Sequence, residues 1–205
     1  GASPLTDPAM STATANSLSI SDLVSITDLS NAELRRVLEV GMTIKAAPLD
    51  YSELLKGKRL SMVFEKESLR TRFTFDIGMQ DLGGSATFLD LSQSPRMGAR
   101  ESVRDMAKNL ERWTHGIVAR TYRHRTVVEL AQTASIPVIN GLSDLVHPCQ
   151  SLADTMTLME RWGSLEGRRI AFIGDGNNTC HSLMAACTKL GAHMIVCTPE
   201  GYEPD

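Results

Sequence analysis

Short apolar runs alternate with amphipathic helical patterns along most of this sequence, and that alternation constrains the fold more than any other feature. Strand-like runs occur near 59–64, 85–90, 116–120, 136–139, 169–173 and 193–197. Helical patterns occur near 70–82, 101–113, 124–134, 149–162 and 179–190. Strands separated by helices predict the α/β class, with parallel sheets covered by helices on both faces. In such folds the carboxyl ends of the strands share one edge of the sheet, where ligands bind.

The strand-like runs fall into two groups, which predicts two parallel-sheet α/β domains. Residues 18–148 hold four runs and are expected to form the first domain. Residues 149–205 hold only two runs, so they are expected to supply a linking helix and the start of a second domain. Two strands are too few for a finished domain. We therefore expect the second domain to be incomplete in this chain.

The chain before the first strand contains a tail and a helix. Residues 1–17 are small and polar, and we expect a disordered tail or a cloning remnant before Met10. A basic start and an apolar core are both missing there, so a signal peptide is not predicted. Ser30 and Glu33 have the spacing of a capping box and predict a helix start, and Pro48 predicts its end.

Composition and charge narrow the classes of function. A net charge of −3 and a pI near 6.0 argue against a nucleic-acid partner. No run approaches the ~20 apolar residues of a membrane span. The four cysteines form no CxxC pair, so we expect free thiols in a reducing cytoplasm and no zinc site.

The segment Ser68-Leu69-Arg70-Thr71-Arg72 follows the first apolar run and opens the next helical pattern. The unpaired N–H groups and positive dipole end of a helix N-terminus bind phosphate. The hydroxyls add donors, and an arginine can grip phosphate through two parallel hydrogen bonds. The plain alternative is that Ser68 is an ordinary N-cap and both arginines are solvated. The whole cluster favours an anion site.

Two further clusters follow other strands. Arg120 ends the run at 116–120, and a cation there is costly unless it is paired or serves a ligand. His147 precedes Pro148, which suits the first helical position, so Gln150 falls in the first turn. A salt-bridge role for Arg120 and a structural role for His147 are the alternatives.

The turn "FIGDGNN" after the fifth strand suggests a nucleotide-binding loop. The dinucleotide pattern G-x-G-x-x-G requires a glycine at position 179, where this sequence has Thr179. A nucleotide-dependent oxidoreductase is therefore disfavoured. The side-chain amides of Asn177 and Asn178 suit the carboxylate and amine of a zwitterionic substrate.

Four segments together resemble the transcarbamoylase family, on its ornithine branch. They are "FEKESLRTR", "ART" at 119–121, "INGLSDLVHPCQSLAD" and "GDGNN", and the likeness extends from about residue 18 onward. The resemblance implies transfer of the carbamoyl group of carbamoyl phosphate to the side-chain amine of L-ornithine, giving citrulline and phosphate in arginine metabolism, either in arginine biosynthesis or in catabolism. It also implies a homotrimer with active sites between subunits, and no metal or other cofactor.

The resemblance also implies a set of site residues. Carbamoyl phosphate would be held by Ser68, Leu69 through its backbone, Arg70, Thr71, Arg96, Arg120, His147 and Gln150. Arg96, on the loop "SQSPRMGARES", would reach the phosphate of a neighbouring subunit. Ornithine would contact Asn178 together with Asn177.

The sequence departs from the family pattern in three ways. Leu69 stands where ornithine enzymes usually have threonine, and Arg96 stands where glutamine or histidine is commoner. The later segments that grip ornithine lie beyond residue 205. We therefore expect a C-terminally truncated chain that is inactive alone. The alternatives are a related amine substrate, putrescine or acylated ornithine, and a non-catalytic carbamoyl phosphate-binding fragment.

Elementary chemistry assigns roles that agree with the resemblance. Thr71, Arg120 and His147 could polarise the carbonyl oxygen while the amine attacks. Ser68, Arg70 and the helix N-terminus could neutralise charge on the leaving phosphate. No covalent intermediate is required. Cys149 has no evident base beside it, so we expect a packing role for its thiol.

Overall fold

The structure, a computed structural model, describes residues 18–93 and 96–205. The predicted N-terminal tail, residues 1–17, lies outside the described residues. The helices and strands in the described ranges are α1 (Asn31–Ala46), β1 (Arg59–Phe64), α2 (Leu69–Asp81), β2 (Ser85–Asp90), α3 (Val103–Trp113), β3 (Gly116–Arg120), α4 (His124–Thr133), β4 (Val138–Leu142), α5 (Pro148–Trp162), β5 (Arg169–Ile173), α6 (Asn178–Lys189) and β6 (His193–Cys197). Short 3-10 helices lie at Ile26–Asp28 and Pro48–Tyr51.

The strands form two sheets in which every pair is parallel. The first sheet has the order β2-β1-β3-β4, and the second pairs β5 with β6. The α/β class and the two-sheet organisation predicted from the sequence are therefore confirmed. Because β1, β3 and β4 are neighbours, their carboxyl ends lie side by side.

The central strands β1 and β3 of the first sheet are buried on both faces, as parallel strands usually are, whereas the edge strand β2 is partly exposed. On one face Val63 and Ile117 pack with apolar residues of α3 and α4. On the other face Met62 and Phe64 pack against residues of α2. A third cluster joins α1, α5 and α6 with β5. Both sheets are thus fixed to helices, and α5 contacts β4 as well as α6.

The start of α1 is built as the sequence predicts. The Oγ of Ser30 accepts a hydrogen bond from the Glu33 N–H at 3.2 Å, and the Glu33 carboxylate accepts one from the Ser30 N–H at 2.8 Å. This reciprocal pair satisfies two N–H groups that the helix itself leaves unbonded. The helix ends at Ala46, and Pro48 begins a 3-10 turn.

The fourth strand lies further along the chain than the apolar run indicates. The sequence places it near 136–139, whereas β4 spans Val138–Leu142. Proline has no N–H to donate to a ladder, and Pro137 serves only as an acceptor for Ile117. The strand continues through Asn140 because this buried amide donates to the Val24 carbonyl at 2.9 Å and accepts from the Leu142 N–H at 3.0 Å.

The end of α2 gives a stability prediction. Gly83 has a φ of 84°, and a Cβ there would clash with the Ser52 carbonyl oxygen. Gly57, shortly before β1, has a φ of 73° with nothing within 4 Å of such a Cβ, so it is the matched control. Gly57→Ala should cost only the positive-φ backbone term, about 1–2 kcal/mol. Gly83→Ala adds a backbone clash and should cost roughly 3 kcal/mol or more.

Thermal unfolding followed by circular dichroism measures this difference, at about 2–4 °C of Tm per kcal/mol for a chain of this size. Equal losses of Tm in the two variants would contradict the close approach of Gly83 to Ser52.

Candidate active site

The predicted polar clusters lie at the carboxyl ends of neighbouring strands. Ser68 follows β1, Arg120 is the last residue of β3, and His147 follows β4 by a short loop. A Cβ built on Gly141 of β4 would be 3.7 Å from the Thr71 Cγ2, so the start of α2 reaches across to β4. The structure therefore brings these predicted residues to one edge of the first sheet.

The start of α2 combines an N-cap with a free cation. The Ser68 Oγ accepts a hydrogen bond from the Thr71 N–H at 3.3 Å, as the plain N-cap reading predicts. Leu69 is 72% exposed. Within the described part of the chain, the exposed guanidinium of Arg70 has no carboxylate partner. An anion at this helix start would meet backbone N–H groups and the Arg70 fork together.

Arg72 differs from Arg70 in its surroundings. Its guanidinium lies 4.0 Å from the centroid of the Phe88 ring. Hydrogen bonds from Ser92, and to a smaller extent the charge of Arg72, lower the pKa of the exposed Asp90 carboxyl. Arg72 is thus directed toward β2.

Arg120 is a partly buried cation without a counter-ion. Burial lowers the pKa of its guanidinium from the ordinary value. Its Nε is buried and has no hydrogen-bond partner among the described residues, and no ion pair found there includes it. A cation in this setting is costly unless a ligand pairs with it. The salt-bridge alternative therefore has no carboxylate to support it within 18–93 and 96–205.

His147 occupies the N-cap position of α5, and Pro148 is the first helical residue, as predicted. The His147 backbone N–H donates to the Ser182 Oγ at 2.8 Å. Burial, and secondarily the charge of Arg120, lower the pKa of the imidazole to about 4. The ring is therefore neutral at pH 7 and carries one N–H donor and one acceptor. Its buried Nδ1 meets no hydrogen-bonding atom of the described chain.

The next two residues of α5 differ in exposure and chemistry. Gln150 is exposed in the first turn, and its Nε2 donates to the Asp154 carboxylate at 2.9 Å. The Cys149 thiol points at the Asn140 carbonyl at 3.5 Å, and burial raises its pKa to about 12. A thiol with this pKa is not a nucleophile near neutral pH, which supports the packing role for Cys149.

The two asparagines at the start of α6 are partly committed to structural hydrogen bonds. Asn177 is the N-cap, and its Oδ1 accepts from the Thr179 and Cys180 N–H groups. The Asn178 Nδ2 donates to the Ser143 carbonyl at 2.7 Å. Asn178 therefore lies against the loop that leads from β4 to His147.

The Arg96 side chain contacts a tyrosine of its own chain in this structure. Its guanidinium is 5.0 Å from the centroid of the Tyr122 ring, and the Lys66 ammonium is 4.9 Å from the same centroid. Two residues before Arg96 in its loop, Ser94 and Pro95, lie outside the described ranges.

Sequence reasoning missed the residues that support this arrangement, Glu65 and Tyr122. Glu65 is only 2% exposed, and its carboxylate binds the backbone of residues 97 and 122. The available signal was a carboxylate directly after the buried run "LSMVF". Within the described ranges, no group of three histidine, cysteine or acidic side chains could hold a metal ion. Nor does any helix described there have the length and apolarity that crossing a membrane requires.

Two family models match this chain. The carbamoyl-P binding domain of aspartate/ornithine carbamoyltransferase matches residues 21–160, and the Asp/Orn binding domain matches residues 166–205. The chain is similar to proteins named ornithine carbamoyltransferase, at 49% identity in Methanocorpusculum labreanum and 48% in Symbiobacterium thermophilum. These alignments cover 90% of this chain but only 61% and 60% of the two relatives.

Solved structures give the same result. The ornithine carbamoyltransferase of Thermus thermophilus superimposes with a TM-score of 0.86 at 47% identity, over 91% of this chain and 64% of that one. The enzyme of Pyrococcus furiosus gives 0.86 at 46% identity, over 90% and 59%. Since the carbamoyl-P binding model alone spans most of the sequence, the chain belongs to the aspartate/ornithine carbamoyltransferase family.

Proposed function

We propose that the protein represented by this chain transfers the carbamoyl group of carbamoyl phosphate to the side-chain amine of L-ornithine, giving citrulline and phosphate. The observation that carries the proposal is the pair Arg120 and His147, whose buried Nε and Nδ1 lack partners in the described chain. Both lie at the same edge of the sheet as Arg70, which has no carboxylate partner among residues 18–93 and 96–205. The names of the relatives support ornithine as the acceptor. Arginine biosynthesis is the context that we propose for this reaction.

The phosphate end of carbamoyl phosphate would bind at the start of α2. The Arg70 guanidinium supplies two parallel donors, and the helix N-terminus supplies backbone N–H groups, including that of Leu69. The hydroxyl of Ser68 completes the set. These groups would stabilise the negative charge that builds on phosphate as the C–O bond breaks.

The carbamoyl end would lie between β3 and β4. Arg120, the neutral imidazole of His147 and the Thr71 hydroxyl are donors for the carbonyl oxygen, and Gln150 would orient the carbamoyl amide. The ornithine amine forms the new C–N bond and loses a proton, while phosphate leaves with the bonding electrons. Polarisation of this kind commonly contributes ~10²–10³ in rate per donor.

The amine substrate would bind beside the start of α6. The Asn178 side chain donates a hydrogen bond to the Ser143 carbonyl, and Ser143 lies in the loop that leads from β4 to His147. Asn177 and Asn178 would contact the α-amino and carboxylate groups of ornithine. The two substrates would then approach each other at the border of the two domains, and holding them together supplies much of the rate.

The assembly would be a homotrimer in the cytoplasm. Leu69, Phe73 and Ile77 are spaced by four residues along α2 and are 72%, 57% and 48% exposed. Such an apolar stripe next to an active site favours a subunit contact. The four cysteines are free thiols, which is usual in a reducing compartment.

The first functional prediction concerns Arg70. Arg70→Lys keeps the charge but loses the fork, so the Kd for a phosphonate analogue of carbamoyl phosphate should rise about 10- to 100-fold. Titration calorimetry measures this Kd. Arg72→Lys is the matched control, since Arg72 stacks on Phe88, and a much smaller change is expected. Equal effects of the two substitutions would remove Arg70 from the phosphate site.

The second concerns the protonation of His147. Its C–H resonances, followed by NMR, should titrate with a pKa near 4 rather than 6.5. Removing the positive charge in Arg120→Gln favours the protonated ring, so the pKa of His147 should rise. It should stay below 6.5, because burial is the larger cause. An unshifted pKa in the parent protein would contradict a neutral, buried imidazole.

The third concerns Arg96 in the proposed trimer. Full-length Arg96→Ala and Arg70→Ala proteins, each weakly active, should regain activity when mixed under conditions of subunit exchange. Hybrid trimers would contain an interface at which an intact Arg70 meets an intact Arg96. Mixing without recovery, after exchange has been verified by mass spectrometry, would place the action of Arg96 within its own subunit.

A further inference from the structure

Glu65 is the one charged side chain that is fully buried in the described ranges, at 2% exposure. It directly follows β1 and precedes Ser68 by three residues. Burying a carboxylate is costly unless hydrogen bonds satisfy its oxygens. Glu65 is not one of the residues proposed to contact substrate, and an apolar core does not require a carboxylate. Its burial therefore needs another explanation.

Both oxygens of this carboxylate bind backbone N–H groups from other segments. Oε1 accepts from the Met97 N–H at 2.7 Å, and Oε2 accepts from the Tyr122 N–H at 2.8 Å. The Glu65 N–H in turn donates to the Arg120 carbonyl at 2.8 Å. One residue therefore joins the end of β1, the end of β3 and the loop that carries Arg96.

These bonds control where Arg96 lies. Met97 is 8% exposed and packs in the core with Val63 and Val103, so the loop is held by its side chain as well as by its N–H. The Arg96 guanidinium lies over the Tyr122 ring. The same carboxylate thus fixes the backbone at both partners of this cation–π contact.

The negative charge of Glu65 would repel a bound anion. Glu65 therefore does not serve to attract the phosphate. A cavity of ≈ 260 Å³ beside Glu65 is lined in part by Arg96, Arg123 and Arg125. No ion pair found in the described ranges includes Glu65, and both of its oxygens are used by the backbone. A negative charge here can only weaken an anion held nearby.

We propose that Glu65 is a positioning residue of the carbamoyl phosphate site, which holds the Arg96 loop and the end of β3 in register with the start of α2. It does so without touching substrate. The expected effect of Glu65 on substrate binding rests on the proposed function. Its expected effect on the position of the loop does not.

Ligand-free proteolysis tests the geometry by itself. In Glu65→Gln the amide nitrogen must face one of the two backbone donors, so one bond is lost. Tryptic cleavage after Arg96 and Arg100 should become about tenfold faster, the equivalent of one charge-assisted hydrogen bond. Glu67→Gln removes a charge from an exposed neighbour and should leave cleavage unchanged. Unchanged cleavage in Glu65→Gln would overturn the proposal.

Binding to the assembled protein tests the consequence. Removing a negative charge should strengthen anion binding by Coulomb's law, whereas lost positioning should raise the Kd of the phosphonate analogue about tenfold. In an Arg96→Ala background the effect of Glu65→Gln should shrink to below about twofold, because the two residues act together. Tighter binding in Glu65→Gln, or a fully additive cycle, would refute the positioning role.

Two controls separate the possible failures. If the parent protein binds no analogue, the proposed function is contradicted. The proteolysis experiment still tests whether Glu65 holds the Arg96 loop in place. If Glu65→Gln does not fold, hydrogen exchange in the parent protein decides. The Met97 and Tyr122 amides should then exchange at least about tenfold more slowly than that of Arg100. Equal exchange rates would overturn the inference.

Discussion

The parallel pairing of β3 with β1 on one side and β4 on the other is the interaction on which the candidate site depends. Apolar residues fill most of both faces of these strands, so their charged side chains are found only at the strand ends. Parallel direction then gathers those exits at one edge. For this reason the start of α2 meets Arg120 and His147, although Ser68 and His147 are 79 positions apart in the sequence.

The electrostatics of this edge follow from which groups are left unpaired. Arg120 is partly buried with no carboxylate partner in the described chain, and its charge helps to keep His147 neutral. Glu65 is close by in the fold and could have neutralised a cation. Its two oxygens are occupied by backbone N–H groups instead. A carboxylate used in this way orders the backbone while the arginines remain available to an anion.

Much of this arrangement follows from sequence pattern, and the remainder depends on contacts that pattern does not encode. Five of the six strands match the apolar runs, and burial on both faces explains the continuous runs of β1 and β3. The end of β4 lies beyond the predicted run because the polar Asn140 interrupts the apolar sequence, whereas tertiary hydrogen bonds satisfy its buried amide. Glu65 was missed for a similar reason, since a glutamate after a strand usually faces solvent. The position of Arg96 on Tyr122 also required coordinates.

Two hydrogen bonds link the proposed carbamoyl and amine subsites. The Asn178 Nδ2 donates to the Ser143 carbonyl, and the His147 N–H donates to the Ser182 Oγ. The first runs from α6 to the loop after β4, and the second runs from the start of α5 to α6. The two bonds therefore join residues 143–147 to α6 from both sides, at the point where an amine would have to meet a carbonyl carbon.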